Sequence, residues 1–146
     1  MKLTTKFRYG TRAILDLAIH STARPVSVKD IAKRQDISPK YLENLFSILQ
    51  TSGMIHSVRG AQGGYQLIIN PAEITLKNLY ELFEGAGCLV DCTNNPSSCR
   101  RSEICVTQEI WSELYEQCSS FLDSVTIKDL MERAYVKESV PNIYHI

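Results

Sequence analysis

The chain has 146 residues, room for one domain or for one small domain with an appended element. Apolar residues make up 44% of it and support a buried core. No apolar run approaches the ~20 residues of a membrane span, and the opening MKLTTKFRYG lacks a secretory h-region. Disorder, membrane anchoring and secretion are argued against, and a cytoplasmic globular protein is expected. The 16 Lys and Arg balance 16 Asp and Glu, but unevenly. Residues 1–60 hold ten basic and four acidic side chains, net +6, and residues 61–146 carry net −6. A basic half joined to an acidic half points to a polyanion that meets only the first.

In chain order, Phe7, Gly10, Ile14, Leu17 and Ala18 share one face of a first helix that Arg24-Pro25 ends. Ser27 stands three residues before Asp30, a capping-box-like start for a short helix with Val28, Ile31 and Ala32. Gln35-Asp36-Ile37 makes a turn. Ser38 is then a good N-cap, and Pro39 suits the first helical position. In the helix that follows, Leu42, Leu45, Phe46 and Leu49 obey i, i+3, i+4, i+7 spacing and face inward. Lys40, Glu43, Asn44 and Ser47 form a polar stripe about 200° away. Gly53 supplies a left-handed stop.

Met54–Val58 and Tyr65–Ile69 flank Arg59-Gly60-Ala61-Gln62-Gly63-Gly64 and read as a β-hairpin. Asn70-Pro71 breaks it, and Thr75 caps a helix with Leu76, Leu79, Tyr80 and Phe83 on one face. Three helices, a hairpin and a fourth helix outline a winged helix-turn-helix. Further on, Ile104, Thr107, Trp111, Leu114, Cys118, Phe121 and Val125 repeat in steps of three and four, a helix–helix seam of about three heptads. A second copy of the chain or its own domain could cover that seam, and a homodimer is the expectation. Cys118 is read as a small buried apolar residue. A last helix from Thr126 is expected to bury Ile127, Leu130, Met131 and Ala134.

All five cysteines follow residue 87, and four of them, Cys88, Cys92, Cys99 and Cys105, fall in a Gly-, Asn-, Pro- and Ser-rich stretch. An odd count without a leader argues against a disulfide framework. The stretch cannot build a core of its own, so something other than packing must order it. Cys92-x6-Cys99-x5-Cys105 has no CxxC knuckle and poorly matches a structural zinc site. Wide spacing in a loop suits thiolates on an iron–sulfur cluster, with reactive thiols the competing reading. There is no GxGxxG or P-loop, and His20, His56 and His145 share no ligand spacing, so an enzyme is not expected.

The polar stripe fits a major groove about 12 Å wide, and Arg59 at a glycine-rich tip suits the neighbouring minor groove. Lys2, Lys6, Arg8, Lys29 and Lys33 are expected to contact phosphates. Glu43 is the odd member, a carboxylate that repels phosphate unless it accepts from cytosine N4.

The opening Met1–Gly10, the segment Ile37–Phe46, the run Val58–Tyr65 and the three-cysteine loop together resemble the Rrf2 family of bacterial winged-helix regulators, over essentially residues 1–135. The resemblance implies a homodimer with a long C-terminal dimerisation helix, bound to a palindromic operator on double-stranded DNA and read as a repressor. It implies a wing domain at 1–84, a cluster-binding loop at 85–105, and dimerisation and C-terminal helices at 106–146. The DNA-facing set is Thr4, Lys6, Lys29, Ser38, Lys40, Tyr41, Glu43, Asn44, Arg59 and Gly63. Cys92, Cys99 and Cys105 match the family's three ligands for an iron–sulfur cluster, a two-iron cluster being favoured over a four-iron one. Where some members place a histidine ligand this chain has Gln108, and where others use an N-terminal aspartate it has Arg8. Gln108 is the candidate fourth ligand, with Cys88, Asp91, Glu109 or an exogenous group as substitutes. Cluster-free members respond instead through thiol chemistry or a protein partner. A thiol oxidoreductase or electron carrier docked by its basic half is a third possibility.

Overall fold

Short polar residues open the first three helices. In the computed structural model, Thr4 accepts the Phe7 N–H at the head of α1 (Thr5–His20), Ser27 accepts from Asp30 at α2 (Val28–Gln35), and Ser38 accepts from Tyr41 at α3 (Pro39–Thr51). Asp36 (φ 53°) closes α2 in the left-handed region, and Gly53 (φ 77°) follows α3. The structure describes residues 1–139. The end of the expected C-terminal segment, residues 140–146 with His145, lies outside the described residues.

The inward faces meet as expected. Ile14 and Leu17 of α1, Ile31 of α2, and Leu42, Leu45, Phe46 and Leu49 of α3 are buried together. Phe46 stacks on Tyr65, ring centroids 4.7 Å apart. Tyr65 belongs to the hairpin of β1 (Ile55–Val58) and β2 (Gly64–Leu67), paired antiparallel with Ile55 opposite Leu67 and Val58 opposite Gly64. Tyr65 also exchanges backbone hydrogen bonds with Val26, at 2.9 and 2.8 Å, which fastens the wing to the α1–α2 connection. Gly64 makes this possible. Its φ is 154°, and a Cβ there would stand 2.2 Å from the Val26 carbonyl oxygen.

A capping box between Thr75 and Asn78 opens α4 (Leu76–Glu84), whose buried Leu79, Tyr80 and Phe83 lie among the core residues, with Tyr80 edge-on to Phe7 of α1 at 5.4 Å. After the cysteine stretch come α6 (Val106–Ser124) and α7 (Ile127–Ser139), preceded by the single-turn α5 (Asp91–Asn94). The chain is stitched back where α6 ends: Leu76 N–H donates to the Val125 carbonyl at 2.8 Å and Ile127 N–H to the Ile74 carbonyl at 2.9 Å. Ile127 is fully buried in the same core, while Leu130, Met131 and Ala134 are half-buried.

The expected seam resolves into two faces. Val125 is buried and Cys118 is half-buried, a correction to the buried reading of Cys118. Ile104, Trp111, Leu114 and Phe121 remain 41–76% exposed, so the chain's own domain does not cover them. The side of α6 turned inward is more polar: Gln108, Ser112, Tyr115 and Ser119 are half-buried, and Leu122 is the one buried residue of the helix. Among the described residues, no helix is long and apolar enough to cross a membrane.

Candidate functional site

Burial of Leu42, Leu45, Phe46 and Leu49 rotates the opposite face of α3 into solvent, where Lys40, Glu43, Asn44 and Ser47 are all exposed. Tyr41 is placed differently. It is half-buried, with its ring edge-on to Tyr9 of α1 at 6.1 Å, while the Arg12 guanidinium lies 5.2 Å over Tyr9 and donates to the Gln35 carbonyl. Tyr41 thus ties the head of α3 to α1. The hydroxyls of Ser38 and Thr4 are likewise engaged, the first accepting from the Tyr41 N–H at 3.2 Å, the second accepting from the Phe7 N–H and donating to Glu84 at the end of α4. Lys6, Lys29 and Arg59 are exposed, Arg59 at the start of the hairpin tip. Gly63 closes that tip by donating its N–H to the Gly60 carbonyl at 3.0 Å.

A buried carboxylate that sequence reasoning did not single out ties α1 to α2. Asp16 is 2% exposed and accepts from Arg34 Nη2 at 2.6 Å, Arg34 Nε at 3.0 Å and Gln35 Nε2 at 2.8 Å. The bidentate fork of Arg34 suits this geometry, and no buried side-chain nitrogen or oxygen among the described residues lacks a partner. The signal was available: an aspartate between Ala13 and Leu17 on the apolar face of the first helix needs a cation.

The cysteine stretch is ordered by polar staples rather than by burial. Cys92 lies in α5, Cys99 follows a 3-10 turn at Pro96–Ser98, and Cys105 is the N-cap of α6. Ser102 Oγ sits 2.7 Å from the Pro96 carbonyl and 2.9 Å from that of Cys99. Gln108 Nε2 donates to the Cys92 carbonyl at 2.6 Å. At the other end the Met1 ammonium donates to the Cys88 carbonyl at 2.8 Å, and Lys2 N–H to the Tyr80 hydroxyl at 3.3 Å. The start of the loop is thereby held against the N-terminal segment.

All five cysteines are free thiols, and Cys92, Cys99 and Cys105 are half-buried. The Cys105 thiol is held below the ordinary thiol range, chiefly by the Thr107 hydroxyl 3.2 Å away and next by the Gln108 N–H. Soft sulfur donors on a polar, partly open loop suit an iron–sulfur cluster in their chemistry. Their arrangement is not gathered: among the described residues, no three His, Cys, Asp or Glu side chains lie close enough together to hold a metal ion. Cys88, Asp91 and Glu109 do not complete such a group either.

The Rrf2 family, described as iron-dependent transcriptional regulators, matches residues 3–133. The protein named rrf2 of Nitratidesulfovibrio vulgaris is 43% identical over 134 residues, covering 92% of this chain and 89% of its own length. The regulator IscR of Aliivibrio salmonicida is 40% identical, covering 90% and 77% respectively. Among solved structures, CymR, the global cysteine regulator of B. subtilis, superposes with a TM-score of 0.78 at 32% identity, covering 91% of this chain and 98% of its own. T. potens IscR does so with a TM-score of 0.78 at 34% identity, covering 96% and 93%. These relatives are transcriptional regulators and not enzymes, and their mainly helical winged architecture is the one described above. The chain therefore belongs to the Rrf2 family of DNA-binding transcriptional regulators.

Proposed function

We infer that the protein represses transcription in the cytoplasm as a homodimer on a palindromic operator, and that it reads iron–sulfur or redox status through its cysteine loop. Lys40, Glu43 and Asn44 would address base edges in the major groove, and Arg59 the adjacent minor groove. Lys6 and Lys29 would meet phosphates. Thr4, Ser38, Tyr41 and Gly63 serve the same surface by fixing α1, the head of α3 and the wing tip, each through the partner described above.

The observation that carries the sensing half is the position of Cys105. It caps the same helix whose Trp111, Leu114 and Phe121 are exposed, the face on which a second copy would pack. Cys92, Cys99 and Cys105 would hold the cluster, which supplies a redox- and nitric-oxide-sensitive inorganic centre. Drawing those three sulfurs together would reset the first turn of α6 and with it the posture of the paired helix. Half-sites about one helical turn, roughly 34 Å, apart make affinity sensitive to small rotations across the dimer.

Anaerobic reconstitution with iron and sulfide tests this. The expected result is a coloured protein whose visible absorption is lost in Cys92→Ala, Cys99→Ala or Cys105→Ala, with operator binding that changes with colour and weakens steeply with salt. A colourless protein with five titratable thiols refutes the cluster. A second reading, control by thiol oxidation or by a protein partner, is favoured by the ungathered sulfurs and by the likeness to CymR. Reversible disulfides within residues 88–105 of a colourless protein would select it.

A further inference from the structure

Gln108 occupies the place where a fourth ligand was expected, yet its side chain is engaged elsewhere. Its Nε2 donates across sixteen positions to the Cys92 carbonyl at 2.6 Å, and its backbone N–H donates to the Cys105 carbonyl at 3.1 Å. One half-buried residue thus grips the main chain at two of the three candidate thiols. The third has its own staple, Ser102, whose hydroxyl and N–H both address the Cys99 carbonyl, at 2.9 and 3.2 Å. Both staples lie on a stretch whose single-turn α5 buries no residue.

We propose that Gln108 is a positioning residue and not a ligand: its amide straps α5 to the first turn of α6 and so ties the main chain at Cys92 to the helix that Cys105 caps. The inference rests on the cluster reading for its purpose, while the strap itself rests on the Gln108–Cys92 hydrogen bond. The chemistry agrees. An amide oxygen is a poor donor to iron beside thiolates, whereas an amide N–H is a good partner for a main-chain carbonyl. Groups that orient ligands without touching the metal reduce the ordering cost of binding.

The test uses the full-length metal-free protein, with alkylation of each cysteine followed by mass spectrometry and amide exchange followed at residues 91–95. Losing one hydrogen bond of ordinary strength predicts about a fivefold faster alkylation of Cys92 in Gln108→Ala. Exchange at Thr93–Asn95 should accelerate while Cys99 keeps its rate. Gln108→Glu, the same size but unable to donate at neutral pH, should behave like the alanine variant. Ser102→Ala should show the reverse pattern, with Cys99 released and Cys92 unchanged. An unchanged Cys92 rate in both Gln108 variants overturns the proposal, and so does an equal rise at Cys92 and Cys99, which would mean general unfolding of the loop. On reconstituted protein, Gln108→Ala should lower the yield of chromophore at an unshifted band position, and a shifted spectrum would make Gln108 a ligand and defeat the idea. If no chromophore forms with any variant, the cluster reading fails, and the alkylation and exchange measurements still judge the strap.

Discussion

The N-terminal domain and the segment from Cys88 to Val125 hold themselves together by different means. In the first, helices cross over a continuous apolar core, and even the one buried carboxylate has its cation. In the second, a handful of hydrogen bonds from Met1, Ser102 and Gln108 hold the cysteine stretch, and of the large apolar residues of α6 Leu122 is buried while Ile110, Trp111, Leu114 and Phe121 face outward. Area removed from water scales with stability, whereas single polar staples contribute about 1 kcal/mol each. The first region is built to keep one shape whatever happens at its surface. The second has little apolar burial to fix its shape.

Matched aromatic deletions give the widest contrast. Phe46 is fully buried against Tyr65, and Phe46→Ala should cost about 3–5 kcal/mol in urea unfolding. Phe121 is 62% exposed, and Phe121→Ala should change the unfolding free energy of the monomer by no more than about 0.5 kcal/mol. Comparable losses at both sites would erase the distinction between the two regions. Asp16→Ala comes next. It leaves Arg34 and Gln35 without their shared acceptor, and because the Arg34 side chain is 36% exposed the cost should fall near the low end for a broken ion pair, about 2–3 kcal/mol. Thermal melts of Asp16→Ala and of the Asp16→Ala, Arg34→Met double variant would show whether the uncompensated guanidinium is the source.

The outward stripe of α6 supplies a smaller effect of a different kind. Leu114→Ser with Trp111→Ser should leave the far-ultraviolet spectrum unchanged and weaken self-association at least tenfold, or about 1.4 kcal/mol, in sedimentation equilibrium. Unchanged association would remove the homodimer from that face. The smallest effect belongs to the cap of α7. The Thr126 N–H, 2.7 Å away, and then the Thr126 hydroxyl hold the Asp129 carboxylate below its ordinary range. A carboxylate lowered in the folded chain contributes stability above its unfolded pKa and loses it as pH falls through the folded value. Asp129→Asn should therefore flatten the acid limb of the stability profile below about pH 4 and change little at neutrality.

Much of this architecture was legible because it is written over short distances. Ser27, Ser38 and Thr75 cap the helices expected of them, since a cap needs only a side-chain oxygen and an N–H two or three residues on. The inward and outward faces of α3 follow from helical periodicity, so the exposed polar stripe came with the core that opposes it. The cysteine loop was harder. Its spacing marked the thiols, but not that Gln108 reaches back to Cys92 or that the Met1 ammonium reaches Cys88, because both are contacts between distant positions.

What the amino-acid order determined alone is the set of helices, the hairpin, the polar stripe and the three-thiol loop, all governed by interactions within a few residues of one another. Tertiary structure decided the rest. It chose which side of α6 turns to its own domain, paired Asp16 with Arg34, fastened the wing to Val26 and cast Gln108 as a strap. These depend on how elements approach in space, and an apolar repeat on a helix specifies that it will be covered without specifying by what.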